Sequence, residues 1–556
     1  MPSALAIVQP LSVPAGTEAF EKRRAEIIDT FGKKVPQEYR LPEKLIKEAP
    51  KDVTAIPRTC GILTEEELHI TDSYDAVELA AIIARRKYTA ETVVRAFCKR
   101  AIVCHQISCC LTQWFPEEAI ERAKQLDEHL QRTGKTVGPL HGVPVSIKEH
   151  MPIAGHASST GFVSTTVHDE KDAQMISILR DLGAVFYVKT NQPQGIMHLE
   201  SDSHVGRVLN PYNTHLSAGG STGGEAALIA LRGSVLGVGT DIGGSVRGPS
   251  GFCGIYGFKP TSYTLPMKDF LLGGFPAELN ILCSTGPMCR SLRDVDFFMH
   301  NILSAKPHLS DTRLIPIPWS GLASPGCVRQ LKVGIMMNDG DIVPQPPVTR
   351  ALEWARERLA PASNVVVKPY SPYKSAEAVH LIRRMYWPDG GAHVREECAK
   401  TGEPIHPLTT HILADAESST EMTATEISKL RVERDAFRCA FADHWNEQDV
   451  DFVLCPMFVG PACMHDTSWH WNYTALWNFV DYPGIVFPTP IKAEQKGIEK
   501  YSDDAVLSKA DAEVRKLWDE GDFEGAPIAL QLVARKYHDN DLIAALGMMK
   551  DLLDLP

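Results

Sequence analysis

Two glycine-rich loops each carry a serine directly after a Gly-Gly pair: residues 217–224, SAGGSTGG, with Ser221, and residues 241–248, DIGGSVRG, with Ser245. Glycine has no Cβ atom, so such a backbone can adopt unusual conformations and approach other groups closely. A single loop of this kind is most simply a tight turn with polar filler. Here there are two such loops, and their serines are only twenty-four positions apart. This pattern predicts that the two hydroxyls act together.

A phosphate-binding loop is a second interpretation of these glycines, and the details oppose it. The stretch GGSTGGEA lacks the Gly-Lys-Ser/Thr ending of a P-loop. The stretch GVGTDIGG places Ile242 where a dinucleotide-binding motif needs its third glycine. We therefore expect no nucleotide cofactor.

A third interpretation takes Ser221 as the nucleophile of an α/β-hydrolase, because GGSTG matches the pattern GxSxG. That nucleophile elbow needs a hydrophobic strand running straight into it. The approach here is NPYNTHLSA, which is polar and typical of turns, and HGVP at 141–144 is a poor match to an HGGG oxyanion motif. An esterase of this type remains the alternative to the interpretation that follows.

A fourth interpretation uses both serines and a lysine. In chain order, the sequence contains GPLHGVPVSIKEH, GAVFYVKTN, GGSTGGEAALIA, GVGTDIGGSVRGPSGFCGIYGFKPT, DYPGIVFPT and GAPIALQLVAR. This ordered set resembles the amidase signature family over nearly the whole chain, with the most specific part between residues 141 and 261. Within the family the chain is most similar to fungal acetamidase-type amidases, which share TVGPLHG and GILTEEELHIT.

The resemblance implies a catalytic triad and an oxyanion hole. The family's lysine base falls on Lys148, its bridging serine on Ser221 and its acyl-forming nucleophile on Ser245. It also implies a cis peptide bond before Ser221. The expected oxyanion hole is formed by the main-chain N–H groups of Ile242, Gly243, Gly244 and Ser245.

The chemistry of these three side chains is consistent with those roles. A serine hydroxyl is a weak nucleophile until a neighbouring base removes its proton. A lysine has an ordinary pKa of about 10.4, so it serves as a base at neutral pH only if burial lowers that value by several units. Lys148 follows the apolar run GVPVSI, and the hydroxyl of Ser221 can accept one proton while donating another.

Four further residues are expected to support the site. Asp241 precedes the oxyanion loop and is expected to anchor it, and Arg247 is expected to pair with Asp241. Gly220 gives the backbone before Ser221 the freedom that a cis peptide needs. Thr222 keeps a hydroxyl where most family members have a second serine, which predicts that the hydrogen bonding of the loop survives. Glu149 stands where many relatives have aspartate.

Composition excludes several classes of protein. The 556 residues carry a formal net charge of −12, with dispersed Lys and Arg, so no nucleic-acid surface is expected. The thirteen cysteines show no CxxC pair or zinc-ligand spacing, which predicts reduced thiols and no metal site. No secretory signal or membrane-spanning run is present, and a cytoplasmic location is expected. No cofactor is expected, and a homodimer is a possibility that the sequence does not decide.

Apolar strand patterns alternate with helical ones, which predicts an α/β fold with one mixed, mostly parallel sheet covered by helices on both faces. Expected strands are residues 142–148, 184–189, 331–337 and 451–457. We expect an N-terminal helical arm over residues 1–70 and the amidase signature domain over residues 71–556.

Local signals refine this outline. Asp72 or Ser73 is expected to cap one helix, Thr89 the next, and Gly183 to close a third. The stretch 305–330 is expected to be a loop across one domain. The aromatic cluster TSWHWNYTALWNF at 467–479 is expected to be mainly core, since aromatic residues at this density usually are.

The function predicted from the sequence is hydrolysis of the C–N bond of a linear carboxamide to a carboxylic acid and ammonia or an amine. Small aliphatic amides, aryl-acetamides and an intermediate of a specialised pathway all remain open as substrates. The non-enzyme alternative is an amidase-like binding protein without activity. The intact set of Lys148, Ser221 and Ser245 argues against it.

Overall fold

A computed structural model describes residues 5–9, 14–272, 280–325, 330–414 and 420–556. The helices are α1 (Glu18–Lys33), α2 (Glu43–Lys47), α3 (Ile56–Thr59), α4 (Glu65–Ser73), α5 (Ala76–Ala84), α6 (Ala90–Ser108), α7 (Pro116–Thr133), α8 (Gln174–Asp181), α9 (Gly223–Ala230), α10 (Arg247–Phe252), α11 (Leu292–Ser304), α12 (Pro346–Leu359), α13 (Ser375–Tyr386), α14 (Ala392–Thr401), α15 (Pro407–Leu413), α16 (Ala424–Gln448), α17 (Asn472–Phe479), α18 (Lys509–Glu520) and α19 (Asp539–Lys550).

The strands are β1 (Leu111–Trp114), β2 (Pro144–Lys148), β3 (Ala157–Ser158), β4 (Val167–His168), β5 (Val185–Thr190), β6 (Asp202–Ser203), β7 (Gly206–Arg207), β8 (Leu236–Asp241), β9 (Tyr256–Lys259), β10 (Ser284–Cys289), β11 (Leu331–Ile335), β12 (Val365–Pro369), β13 (Phe452–Pro456), β14 (Gly484–Lys492) and β15 (Pro527–Ala534). All four strands expected from the sequence are thereby confirmed.

One eleven-stranded sheet organises the described residues, in the order β1-β5-β2-β8-β10-β9-β14-β15-β13-β11-β12. The sheet is mixed, as predicted. Parallel pairs join β5, β2 and β8 on one flank and β13, β11 and β12 on the other. The edge strand β1 and the central strands pair antiparallel. Parallel neighbours need a long crossover, and helices α8 and α12 provide it for β2–β5 and β11–β12.

The central strands are buried on both faces. Every residue of β2, β5, β8 and β10 is buried. Because successive side chains in a strand point to opposite faces, helices must cover both sides of this part of the sheet. This explains why GVPVSIK and AVFYVK read as continuous apolar runs without alternation.

The capping predictions have mixed outcomes. Thr89 caps α6, since its side chain accepts the N–H of Thr92, and Gly183 follows α8 with φ +94°. The prediction for Asp72 or Ser73 is wrong. Both residues lie in the last turn of α4, and Asp75 caps α5 instead. The missed signal is the capping box of Thr64 and Glu67, which starts a separate helix earlier in the chain.

The topology places the ends of two parallel strands side by side. Strand β2 pairs with β8 in parallel, with Ile147 opposite Val238, so Lys148 and Asp241 end their strands at the same edge of the sheet. Carboxyl ends of parallel strands are where α/β folds place their ligands. Helix α9 starts at Gly223, directly after the first glycine-rich loop, and packs on both strands. The fold therefore brings the two glycine-rich loops to one edge.

No helix in the described part of the chain is long and apolar enough to cross a membrane. The twelve cysteines in the described ranges form no disulfide, and Cys327 lies outside those ranges. Nine of these twelve thiols are buried.

Candidate active site

Lys148 is fully buried at the carboxyl end of β2. Its Nζ atom lies 2.7 Å from the Oγ atom of Ser221 and 3.3 Å from the Oγ1 atom of Thr240, the penultimate residue of β8. The amine is therefore held between the loop of Ser221 and the end of the neighbouring strand. The structure thus brings two members of the predicted triad into hydrogen-bonding contact.

Burial also sets the charge state of this lysine. Desolvation lowers the pKa of Lys148 to about 7, against smaller opposing effects of Cys283, Asp241 and Glu225. A pKa near 7 leaves a substantial fraction of the amine neutral at physiological pH. Only the neutral amine has a lone pair that can accept a proton. The lysine thus meets the condition that the sequence set for it.

Ser221 is fully buried, and its hydroxyl lies against the lysine amine. The Gly220–Ser221 peptide bond is cis, as the resemblance implied. A side chain at Gly220 would overlap the carbonyl oxygen of His198, so this loop can pass there only without a Cβ atom. No strand leads into Ser221, since strand β7 ends at Arg207. A nucleophile elbow at Ser221 therefore lacks both its strand and an accessible hydroxyl.

Ser245 differs from Ser221 in being slightly open to solvent, with 7% of its surface exposed. Its hydroxyl makes no hydrogen bond with any residue in the described ranges, Ser221 included. The two serine loops nevertheless meet over β8. A Cβ atom built on Gly239 would lie 2.8 Å from Thr222, next to Ser221, and 3.0 Å from Val246, next to Ser245. Hydrogen bonds of catalytic groups often close only when a substrate is bound.

The loop between β8 and α10 presents main-chain N–H groups. Among the described residues, no acceptor contacts the N–H groups of Ile242, Gly243 or Ser245. The N–H of Gly244 donates to the Oδ1 atom of Asp241 at 2.9 Å. Three of the four N–H groups named from the sequence are therefore unoccupied, and the fourth helps to hold the loop.

Asp241 and Arg247 form a fully buried ion pair beneath this loop. The guanidinium donates to both carboxylate oxygens of Asp241, each at 3.0 Å. The carboxylate also accepts the N–H groups of Gly244 and Val246. Burial alone would raise the pKa of Asp241, but the charge and hydrogen bonds of Arg247 hold it well below its usual range. The pair thus fixes the loop, as the sequence proposed.

A line of polar residues behind Lys148 was missed from the sequence. The hydroxyl of Thr240 also lies 3.4 Å from Nε2 of His150, and Nδ1 of His150 lies 3.0 Å from Oε1 of Gln192. Desolvation, with a further contribution from the Lys148 charge, holds the pKa of His150 well below its usual value. A neutral imidazole here adds no positive charge near the amine. The only signal in the sequence was the position of His150 two residues after Lys148.

A buried carboxyl group was also missed. Glu225, in the first turn of α9, accepts hydrogen bonds from the hydroxyls of Ser146 and Thr190. Desolvation raises its pKa to about 7, against those two hydrogen bonds and the charge of Lys148. Its proximity to Lys148 couples the charge states of the two groups.

Thr222 and Glu149 both depart from the family pattern, and their surroundings differ. The Thr222 hydroxyl is buried and has no hydrogen-bond partner among the described residues. The predicted contribution of this hydroxyl to the hydrogen bonding of the loop is therefore wrong for the described residues. Glu149 is buried and accepts a hydrogen bond from Thr112 of the edge strand.

The aromatic cluster at 467–479 is largely core, as expected. Trp471, Tyr473, Trp477 and Phe479 are each at most 3% exposed.

Asp202, His406 and Asp466 lie close enough together for a cation to bind. The Arg207 guanidinium already supplies positive charge there, donating to Asp202 at 2.8 Å and to Asp466 at 2.7 Å. Both carboxylates of this cluster are therefore already engaged by an arginine, and the histidine spacing in the sequence gave no sign of it.

Comparison with known proteins identifies the family. A family model described as Amidase matches residues 92–543, most of the chain. This chain belongs to the amidase signature family. It is accordingly an amide-cleaving hydrolase. Lys148, Ser221, Ser245 and the loop of residues 241–245 all lie within the matched region.

Similar amidases match along nearly their whole length. An amidase of Gibberella zeae is 34% identical over 552 residues, which cover 95% of this chain and 98% of that protein. An acetamidase of Emericella nidulans is 31% identical over 541 residues, covering 95% and 97% respectively. Among solved structures, a fatty acid amide hydrolase has a TM-score of 0.89 and 33% identity, covering 97% of this chain and 95% of that one.

Proposed function

We propose that this amidase hydrolyses a linear carboxamide to a carboxylic acid and ammonia or an amine, through an acyl-enzyme on Ser245. The observation that carries the proposal is the 2.7 Å contact between the buried Lys148 amine, whose pKa is about 7, and Ser221. An amine in that state is a base, and Ser221 supplies the shorter of its two hydroxyl contacts, at 2.7 Å against 3.3 Å for Thr240.

In the proposed acylation step, Ser245 Oγ attacks the amide carbonyl carbon. Its proton passes to Ser221 Oγ, and the proton of Ser221 passes to the Lys148 amine. The oxygen of the tetrahedral intermediate takes the negative charge and accepts hydrogen bonds from the N–H groups of Ile242, Gly243 and Ser245. Losing one such donor typically slows an enzyme about 100- to 1000-fold. Gly244 is left out because its N–H group already serves Asp241.

Collapse of the intermediate breaks the C–N bond, and the proton held by Lys148 returns through Ser221 to the leaving nitrogen. Water then attacks the acyl ester and gives up its proton along the same route. The acid leaves, and Ser245 regains its proton. The lysine is neutral again at the end of the cycle.

The range of acyl groups is the open part of the proposal. One similar protein is named an acetamidase and one similar structure a fatty acid amide hydrolase, so the named relatives span short and long acyl chains. We propose small and aryl-substituted linear amides as the first substrates to test, in line with the fungal acetamidase-type resemblance of the sequence.

A fluorophosphonate probe and an amide panel test the proposal together. The probe labels the nucleophile, and peptide mapping locates it; label on Ser245 is expected, and label on Ser221 would favour the esterase alternative instead. Amides graded by acyl length and aromaticity are then assayed with wild type and Ser245→Ala. Absence of both label and turnover would support an inactive amidase-like binding protein.

A further inference from the structure

Two hydroxyl groups from outside the glycine-rich segments hold the loop that precedes Ser245. Tyr386, the last residue of α13, donates its hydroxyl to the carbonyl oxygen of Ile242 at 2.8 Å. Thr474, in the first turn of α17, donates to the carbonyl oxygen of Gly243 at 2.7 Å. Both side chains are at most 1% exposed, and their helices pack on each other.

These bonds fix the direction of the loop's N–H groups. In a trans peptide the C=O bond and the following N–H bond point in opposite directions. The contact of Tyr386 with the carbonyl oxygen of Ile242 therefore points the N–H group of Gly243 away from the tyrosine. The Thr474 contact fixes the next peptide, whose N–H is held by Asp241.

The neighbouring peptide units are held in the same way. The carbonyl oxygen of Asp241 accepts from Asn478 Nδ2 at 3.4 Å, and that of Gly244 accepts from the N–H of Gly248 at 2.7 Å. Each of the four peptide units between residues 241 and 245 thus has its carbonyl oxygen occupied. The N–H groups left over are those of Ile242, Gly243 and Ser245.

The fit between loop and hydroxyl is close. A Cβ atom built on Gly243 would lie 2.7 Å from the Tyr386 hydroxyl oxygen. The tyrosine thus fills the space that a side chain at 243 would need, so a larger residue there would displace the hydroxyl from the loop. Because the hydroxyl also donates a hydrogen bond to the carbonyl oxygen of Ile242, it orients the loop as well as packing against it.

We propose that Tyr386 and Thr474 are positioning residues that align the oxyanion N–H groups for the transition state. Preorganised donors are effective because they need no rearrangement when charge develops. The inference rests on the proposed function, since it needs Ser245 as the nucleophile. It adds two residues outside the proposed triad that act through the main chain.

The test removes one hydroxyl from the wild-type chain. Tyr386→Phe is expected to lower kcat roughly 10- to 100-fold, because the oxyanion N–H donors are displaced but not removed. The KM should change less than about 3-fold. The rate of fluorophosphonate labelling at Ser245 should fall in parallel, because the phosphoryl oxygen occupies the same N–H groups. If Tyr386 had only a structural role, kcat and the rate of labelling at Ser245 would not fall together.

Tyr187→Phe is the matched control. Tyr187 is also fully buried and donates its hydroxyl to a backbone carbonyl, that of Gly233, at 2.6 Å. This variant should lose comparable stability, followed by thermal unfolding, but keep the labelling rate of wild type. A drop in labelling equal to that of Tyr386→Phe would overturn the positioning role.

Thr474 gives a second, independent measurement. Thr474→Val removes the hydroxyl and should slow labelling, whereas Thr474→Ser retains it and should restore most of the rate. Unchanged labelling at Ser245 in both Tyr386→Phe and Thr474→Val overturns the inference and leaves the proposed function intact. Label at a serine other than Ser245 in wild type overturns both.

Discussion

The amine of Lys148 and the hydroxyl of Ser221 lie 2.7 Å apart, and neither residue has any surface exposed to solvent. An amine in this position is expensive to charge, because it is fully buried and no carboxylate of the described residues lies within hydrogen-bonding distance of it. The burial that makes this amine a base at neutral pH also lowers the free energy of unfolding at that pH. Both effects can be measured.

Ser245→Ala is expected to abolish amide turnover while the protein stays folded, because the nucleophilic oxygen is removed and no hydrogen bond with a described residue is lost. Turnover and thermal unfolding are measured side by side. Ser250→Ala is the matched control: Ser250 lies five residues on, in α10, and its buried hydroxyl has no partner among the described residues. Wild-type turnover by Ser245→Ala would remove Ser245 from its role.

The activity of wild type should fall on the acid side of about pH 7. Below the pKa of Lys148 the amine is protonated and cannot accept the proton relayed by Ser221, so kcat/KM should drop about tenfold per pH unit. Lys148→Ala should lose roughly 100- to 10,000-fold at neutral pH and recover in part at high pH, where hydroxide replaces the base. A pH-independent variant with full activity would contradict the assignment.

Lys148→Met should stabilise the fold at neutral pH. The pKa of Lys148 is about 7 in the folded state against 10.5 for a lysine exposed in the unfolded chain, so between these values the unfolded chain binds a proton that the folded chain does not. The free energy of unfolding of wild type therefore falls as pH falls from 10.5 to 7.

Removing the amine removes this penalty. The stability advantage of Lys148→Met over wild type should be on the order of 3 kcal/mol larger at pH 7 than at pH 10, as measured by urea unfolding. Lys516→Met, on the exposed surface of α18, is the control for general effects of pH. An advantage that does not change with pH would show that the amine is charged in the folded protein.

Asp241→Asn should destabilise the protein by roughly 3–5 kcal/mol, because it leaves the buried Arg247 guanidinium without its counter-charge. Activity should fall as well, since the carboxylate holds the loop of Gly244. Glu43→Gln, which disrupts an exposed pair with Lys47, should change stability by less than about 1 kcal/mol. Chemical unfolding of the two variants separates the buried pair from the exposed one.

Thr222→Val should raise the free energy of unfolding by roughly 1 kcal/mol. The substitution exchanges a buried hydroxyl without a described partner for a methyl group of the same shape. Thermal unfolding of the purified variant measures the change. Thr190→Val is the comparison, because that hydroxyl donates to Glu225 at 2.8 Å and its loss should be destabilising. Equal effects in both would mean that the Thr222 hydroxyl is bonded.

Much of the site could be predicted from residues 141–261, because the order and spacing of its lysine, serines and glycines are typical of a catalytic site. A lysine at the end of an apolar run was consistent with a buried amine, and the resemblance to the family, carried by the two Gly-Gly-Ser loops, implied the serine that it contacts. The Asp241–Arg247 pair followed from the position of an acid and a base around the second loop. In each case the residues that matter are close together in the sequence or lie at a strand end.

The rest depends on contacts that sequence patterns do not carry. Tyr386 and Thr474 are single buried polar residues in helices far along the chain, and nothing in their neighbourhoods points to residue 242 or 243. The antiparallel centre of the sheet was missed because β10, STGPMC, contains glycine and proline, which weaken any strand signal. The prediction of Asp72 or Ser73 as a cap failed because a nearby competing cap began a separate helix.

The hydroxyls that hold the loop before Ser245 come from α13 and α17, more than a hundred residues beyond residues 141–261, the part of the sequence most specific to the family. A transplant of residues 141–261 into another scaffold would carry the proposed nucleophile and base but not the two helices that hold the loop before Ser245. Catalytic power in this enzyme thus depends on the whole folded chain. A motif search finds the reacting groups but not the distant residues that hold them in place.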